Sequence, residues 1–363
     1  MISLDFQNLN SDDYKSLEKA ILAGVSTSSP IVGDFEKVIA EYLNVKPGNV
    51  LVVNSGTSAL HLALLGCRVK PEDEVILPVL TFAATANAVK YIGAKIKFCD
   101  VDEDTWDINP NEIDRLMNDR LIGVVYVDLY GVPVNGIEIL DKIEKYRIFV
   151  IADSSESLGS IHRKNYLTRT GVEDFSCFSF NGNKIITTGG GGLIVGPENP
   201  INYLRGLSCQ GRRYYGSGYD ELHSYVGYNY RMPGLNAALG LSQLHRLPYF
   251  LERKRRIHAI YETELSDILQ FQKATKGTFP NWWYTAALLP EGRHVPTFQS
   301  QLQAEGIPTR RVFRPLNESP AFIDRESYPV AEMIFRRGIC LPCSTLMTDS
   351  ETSKVCSTIR RLL

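Results

Sequence analysis

Phe178-Ser179-Phe180-Asn181-Gly182-Asn183-Lys184-Ile185-Ile186-Thr187-Thr188-Gly189-Gly190-Gly191-Gly192 is the stretch on which the fold turns. It ends a run over 175–180 that reads as a buried strand and leads into 193–195, which reads as another. Most lysines are solvated surface groups. Lys184 falls instead among polar and glycine-rich residues between two apolar runs, where it would be partly desolvated. Desolvation favours the neutral form of an amine, and a free amine can form a Schiff base.

Outward from Lys184, short apolar runs alternate with amphipathic stretches. Strands are expected over 50–53, 74–77, 95–100, 122–128 and 148–152. Helices are expected between them, over 35–43, 58–66, 84–92, 111–117 and 137–144. This alternation predicts an α/β domain with a largely parallel central sheet, and the near-continuous apolar runs fit strands covered on both faces. A long helix-compatible pattern over 240–265 carries Glu252-Arg253-Lys254-Arg255-Arg256, which reads as a solvated helix face. A strand over 283–289 and helices over 297–303 and 350–361 predict a separate α+β unit. The expected division is a large domain at 25–245 and a small C-terminal domain at 246–363, joined by an N-terminal segment at 1–24.

The chain has 363 residues, 39 basic and 41 acidic, so no bulk positive field argues for nucleic acid. No run approaches the roughly 20 apolar residues that span a bilayer. Residues 1–14 are polar and acidic, without the pattern of a signal peptide, and a cytoplasmic location is expected. Seven scattered cysteines read as reduced thiols. Cys340-Leu341-Pro342-Cys343 has C-x-x-C spacing but reads as small apolar residues beside a turn, and the six histidines show no metal-ligand spacing. No metal is expected.

Two further segments bear on chemistry. In Asn54-Ser55-Gly56-Thr57-Ser58, between a strand and a helix, Gly56 permits close backbone approach and Thr57 and Ser58 carry hydroxyls. That suits a phosphate at a helix N-terminus, and equally an ordinary N-cap. Asp153 ends the apolar run 148–152, where open α/β sheets place ligand-contacting residues. It reads either as a cap of the next turn or as the anionic partner of a cationic ring nitrogen. Phosphate site, strand-end Asp and Lys, in that order, are the parts that hold pyridoxal 5′-phosphate.

With those residues in place the chain resembles the DegT-type nucleotide-sugar aminotransferases, a branch of the aspartate-aminotransferase fold. The resemblance runs through 24–36, 54–61, 73–78, 81–88, Tyr130-Gly131, 153–159, 178–192, 227–232 and 338–342. It implies the fold type I of pyridoxal-phosphate-dependent transferases. It implies Lys184 as the Schiff-base lysine and Asp153 as the ring-nitrogen partner. The Gly56 and Thr57 backbone and the Ser179 hydroxyl match the phosphate cradle. Phe82 matches an aromatic ring on the cofactor face, and a core Phe is the alternative. Glu156 falls near the cofactor hydroxyl, at a position usually Gln or His. Asn229 matches an asparagine that reaches the phosphate of the neighbouring subunit, which implies a homodimer with shared active sites. Asp128 stands where the family commonly has His. No histidine occurs in 310–317, where the family often has one, and Arg310, Arg311 and Arg314 are candidate diphosphate contacts.

The activity this implies is ping-pong transamination. L-Glutamate leaves as 2-oxoglutarate, and the amino group goes to C4 of a nucleotide-linked 4-keto-6-deoxy sugar for bacterial glycan or O-antigen synthesis. Glu156, the stretch 180–184 and Asn281-Trp282-Trp283 look most like enzymes acting on UDP-4-keto-6-deoxy-N-acetylhexosamines. GDP-perosamine synthases and dTDP-4-keto-6-deoxyglucose 4-aminotransferases are the alternatives. A related sugar dehydratase carries His where Lys184 stands, and a non-catalytic regulator would tend to lose Lys184 or Asp153.

Overall fold

The computed structural model describes residues 2–162, 166–167, 173–214 and 218–363. Its main sheet has seven strands: β1 (Val50–Val53), β2 (Glu74–Pro78), β3 (Lys95–Cys99), β4 (Leu121–Val127), β5 (Phe149–Asp153), β6 (Phe175–Ser179) and β7 (Gly192–Val195). Their spatial order is β1-β7-β6-β5-β4-β2-β3. Neighbours from β6 to β3 pair in parallel, whereas β7 is antiparallel to both β1 and β6. The alternation over 50–153 is therefore realised as the expected α/β sheet.

Side chains alternate between two apolar layers, as strand geometry requires. Leu51, Val53, Leu77, Val125 and Ile151 pack with Ala59, Leu60 and Ala63 of the helix Gly56–Gly66. Ile76, Val124, Tyr126 and Val150 face the other way, against Ile113, Ile139 and Ile143. The stretch around Lys184 joins β6 to β7 across the carboxyl edge of the sheet and turns the chain back. Gly192 must be a glycine there, because a Cβ would lie 2.3 Å from the Ser55 carbonyl oxygen.

A second, antiparallel sheet contains β8 (Gln270–Phe271), β9 (Thr285–Leu288), β10 (Arg310–Arg311) and β11 (Gly338–Leu341), in the order β8-β9-β11-β10. Cys340 thus lies on a strand, not beside a turn. The helix Gly234–Leu265 links the two sheets, begins before 240 and continues through 246. Within it Lys254 departs from the expected solvated face: it is buried, and its Nζ donates to the Trp283 carbonyl at 2.7 Å. The helix Ser11–Ala23 was not expected, because it docks through charge. Its buried Asp13 accepts from Gln243 Nε2 at 3.0 Å and Arg246 Nη1 at 3.1 Å. Among the described residues, no helix is long and apolar enough to cross a membrane.

β1 delivers the chain to Ser55-Gly56 and is an edge strand, so its outer amides and carbonyls need partners. Glu36 accepts from the Val52 amide at 3.0 Å, and Arg205 Nη2 donates to the Val50 carbonyl at 2.7 Å. The two side chains also pair with each other at 2.9 and 3.0 Å. Removing one member of such a pair leaves the other charge buried, at a cost of about 3–5 kcal/mol. Arg205→Met is expected to lose that much in urea unfolding, with partial recovery in the double variant Glu36→Gln/Arg205→Met. A loss under about 1 kcal/mol would show that β1 does not depend on this closure.

Candidate functional site

The carboxyl ends of β1, β4, β5 and β6 open into one cavity of about 250 Å³. Ser55, Gly56, Thr57, Phe82, Asp153, Glu156, Ser179 and Lys184 line it from the large-sheet side, and Trp283, Arg310 and Phe313 from the small-sheet side. Seven of the eight residues singled out in the sequence therefore converge. The eighth, Asn229, is exposed and does not line the cavity; its side chain accepts from Arg231 Nη2 at 3.3 Å.

Lys184 Nζ donates to Glu156 Oε1 at 3.2 Å, with side chains only 12% and 4% exposed. Glu156 Oε2 accepts from the Tyr130 amide at 2.8 Å. Burial pushes the Glu156 carboxyl up from its ordinary range, opposed chiefly by the Lys184 charge. Asp153 Oδ2 accepts from the Thr85 hydroxyl at 2.6 Å, and Oδ1 from the Ser155 amide at 3.2 Å. Thr85 in turn contacts the Thr81 hydroxyl at 3.1 Å. Both threonines lie in the resemblance-bearing stretch 81–88, and their one-turn spacing was the available signal for a hydroxyl clamp on Asp153.

The helix Gly56–Gly66 starts two residues before the expected 58. Its N-cap is Ser55, which accepts from the Ser58 amide at 3.1 Å, while the Ser58 hydroxyl donates to Asn54 at 2.7 Å. The Ser58 hydroxyl is thus engaged in the cap. Gly56 and Thr57 supply first-turn amides that the helix itself cannot satisfy. A Cβ on Gly56 would lie 2.9 Å from Ser179 Cβ and 3.2 Å from its hydroxyl, so the backbone approaches Ser179 as no other residue could. Phe82 is 59% exposed and caps the helix Ala83–Tyr91 beside Phe313, at 5.8 Å between ring centroids. That excludes the core-Phe reading.

Of the three candidate arginines only Arg310 lines the cavity, with its guanidinium 5.2 Å from the Phe313 ring. Arg311 donates to the Phe335 carbonyl at 2.8 Å, and Arg314 pairs with Glu318. Asp128 turns away from the cavity. It accepts from the Ser157 hydroxyl at 2.6 Å, the Ser154 hydroxyl at 2.8 Å and the Val134 amide at 3.0 Å. As a site residue Trp283 was visible in the sequence only as part of a resemblance; its ring lies 3.9 Å from Lys184 Nζ.

These donors and acceptors suit pyridoxal phosphate. Amides at a helix N-terminus suit a phosphate dianion, the buried Asp153 carboxylate suits a protonated pyridine nitrogen, and the Lys184 amine suits an aldehyde. The close approach of Gly56 to Ser179 puts the helix amides beside the Ser179 hydroxyl, as a phosphate would need.

A profile of the DegT/DnrJ/EryC1/StrS aminotransferase family matches residues 7–360. The chain is 34% identical over 342 residues to a GDP-perosamine synthase of Escherichia coli O157:H7, covering 92% of this chain and 91% of that protein. It is 31% identical over 382 residues to a UDP-4-amino-4,6-dideoxy-N-acetyl-beta-L-altrosamine transaminase of Campylobacter jejuni serotype O:23/36, covering 100% and 98%. The solved sugar aminotransferase of Micromonospora echinospora superposes with a TM-score of 0.91 at 26% identity, over 99% of this chain and 100% of that one.

Burial pushes the Asp128 carboxyl up to about 6, against the hydrogen bonds it accepts. Below the unfolded carboxyl pKa of about 4 the group is protonated in both states and costs nothing. Above 6 it is ionised in both, and the fold carries the full cost, on the order of 3 kcal/mol. Stability contributed by this group is therefore expected to fall from pH 4 to pH 7. Asp128→Asn is expected to flatten that slope in urea unfolding at pH 4.5 and 7.0, and an unchanged slope would contradict it.

Proposed function

We propose, from the premise that this chain belongs to the DegT/DnrJ/EryC1/StrS aminotransferase family, that it aminates C4 of a nucleotide-linked 4-keto-6-deoxy sugar with L-glutamate as donor. The family depends on pyridoxal phosphate. The observation that carries the reading is the convergence of Lys184, Asp153 and the Gly56–Ser179 approach in one cavity.

Lys184 would hold the cofactor aldehyde, Asp153 its ring nitrogen, and the Gly56 and Thr57 amides with the Ser179 hydroxyl its phosphate. Phe82 would cover one ring face, and Glu156 would lie near the ring hydroxyl. When bound, the cofactor supplies an electron sink for the α-carbon of the donor. The Thr85 hydroxyl and Ser155 amide orient the Asp153 carboxylate toward the cavity. Once free, the Lys184 amine takes the proton from the donor α-carbon and in the second half-reaction returns one at the sugar C4. Glu156, 3.2 Å away, keeps the resulting ammonium in place. Arg310, held over the Tyr284 and Phe313 rings at the cavity wall, would meet an anionic group of the substrate.

The lead substrate is a UDP-4-keto-6-deoxy-N-acetylhexosamine, supported by Glu156 and Asn281-Trp282-Trp283. The 34% identity to a GDP-perosamine synthase favours a GDP-linked 4-keto-6-deoxymannose as the second reading. The reading includes a large unit at 25–245 and a small one at 246–363 that meet along the helix Gly234–Leu265. It also includes a homodimer in which the exposed Asn229 completes the partner's phosphate site.

Glutamate-dependent amination of UDP-, GDP- and dTDP-4-keto-6-deoxy sugars is expected to give the highest kcat/KM with the UDP-N-acetyl substrate. Turnover of none of the three would end this reading. Lys184→Ala and Asn229→Ala are each expected to be inactive or weak alone. Mixed and allowed to exchange protomers, they are expected to regain up to about a quarter of wild-type activity, from one intact site in each mixed dimer. No recovery despite mixed dimers would place Asn229 outside the partner's site.

A further inference from the structure

Trp283 belongs to the small-sheet half, yet it touches Lys184 directly and is tied to Glu156 through Asn281 and Tyr130. Its indole face lies 3.9 Å from Lys184 Nζ, and its Nε1–H donates to the Asn183 carbonyl at 2.6 Å, immediately before the lysine. Its own amide donates to Asn281 Oδ1 at 2.8 Å. The Nδ2 of Asn281 donates to the carbonyls of Glu156 and Leu158, each at 2.9 Å. The ring also stacks on Tyr130, 21° from parallel, and the Tyr130 amide holds the second Glu156 oxygen.

The tightness of this arrangement is visible at Gly131. It has φ +90°, and a Cβ there would fall 1.9 Å from Asn281 Oδ1. Behind the ring, the Trp283 carbonyl accepts from Lys254 Nζ at 2.7 Å and from the Cys343 thiol at 3.2 Å. Trp283 is only 2% exposed. A tryptophan that merely filled the core would need neither its face toward an ammonium nor its N–H on the backbone of the lysine loop.

We infer that Trp283 is a positioning residue for the Lys184 amine. Its ring face and the Glu156 carboxylate form the seat that holds this amine whenever it is not bonded to cofactor, and Asn281 fixes the two halves of the seat to each other. An aromatic face attracts an ammonium most strongly where water is excluded. The seat therefore retains Lys184 after it has taken a proton and presents it for return. The inference rests on the proposed function only in taking Lys184 as the reacting amine.

The test uses full-length protein stripped of cofactor, with pyridoxal phosphate added back. The rate of appearance of the visible absorption band reads the presentation of Lys184 without any sugar substrate. Glutamate half-reaction kinetics and thermal midpoints are measured in parallel. Trp283→Phe keeps a ring face and is expected to stay within about threefold of wild type in both rates. Trp283→Leu is expected to slow both by roughly 10–30-fold, with the glutamate KM within about twofold. Trp283→Met carries the same test if the Leu variant does not fold. Wild-type rates in a folded Leu or Met variant would overturn the inference, as would equal slowing in the Phe and Leu variants, which would point to packing alone. A wild-type protein that forms no visible band would instead sink the proposed function, and this inference with it. A band that forms normally in the wild type and in Trp283→Leu removes only the role of Trp283.

Discussion

The Glu156 carboxylate is the constraint on which the rest of the site depends. It is buried, and it takes the Lys184 ammonium on one oxygen and the Tyr130 amide on the other. A buried carboxylate with only one partner would be costly to keep ionised. Two strand ends must therefore be brought into register: the turn after β4, which carries Tyr130, and the turn after β5, which carries Glu156. Tyr130 accepts a left-handed φ of 56° and Gly131 a φ of +90° to aim that amide. The small-sheet half then closes over the pair through Asn281 and Trp283, so the two sheets meet at the charge they jointly bury.

The surrounding architecture follows from where parallel strands end. All the large-sheet groups of the cavity come from one edge, because strands that run the same way present their carboxyl ends together. β7 is the exception, and it is an informative one. The chain comes back antiparallel because the Lys184 stretch is a loop across that edge and no crossover helix intervenes. The lysine is held at the mouth of the sheet by the same reversal that breaks the parallel pattern. At the far side, β1 reaches the cradle only because Glu36 and Arg205 occupy its open edge.

Much of this was legible in the sequence. The alternation of continuous apolar runs with helical stretches made the parallel sheet readable, since strands covered on both faces have no polar side to interrupt them. Lys184 stood out because a lysine after a buried strand is unusual; Asp153 and Gly56 each read equally as an ordinary cap, and only their order with Lys184 pointed to ligand chemistry. What escaped the reading is mostly long-range and polar. The helix Ser11–Ala23 docks through Asp13 to Gln243 and Arg246, partners over 200 residues away that leave no local apolar stripe. Lys254 sits in a charge run yet is buried, because its acceptors, the Trp283 carbonyl and the Cys343 sulfur, come from other elements. Thr85 reads as a helix residue until Asp153 is seen opposite it. Asp128 stood out as a departure from the family pattern, but its role as the acceptor for two serines and an amide is visible only in three dimensions.

The account stands or falls on Lys184 as the amine that bonds pyridoxal phosphate. Borohydride reduction of the purified protein with added pyridoxal phosphate, followed by mass mapping of the proteolytic peptides, tests it most directly. The account predicts one stoichiometric phosphopyridoxyl adduct, on the peptide containing Lys184. An adduct at Lys254 or on surface lysines, with Lys184 left unmodified, would contradict it.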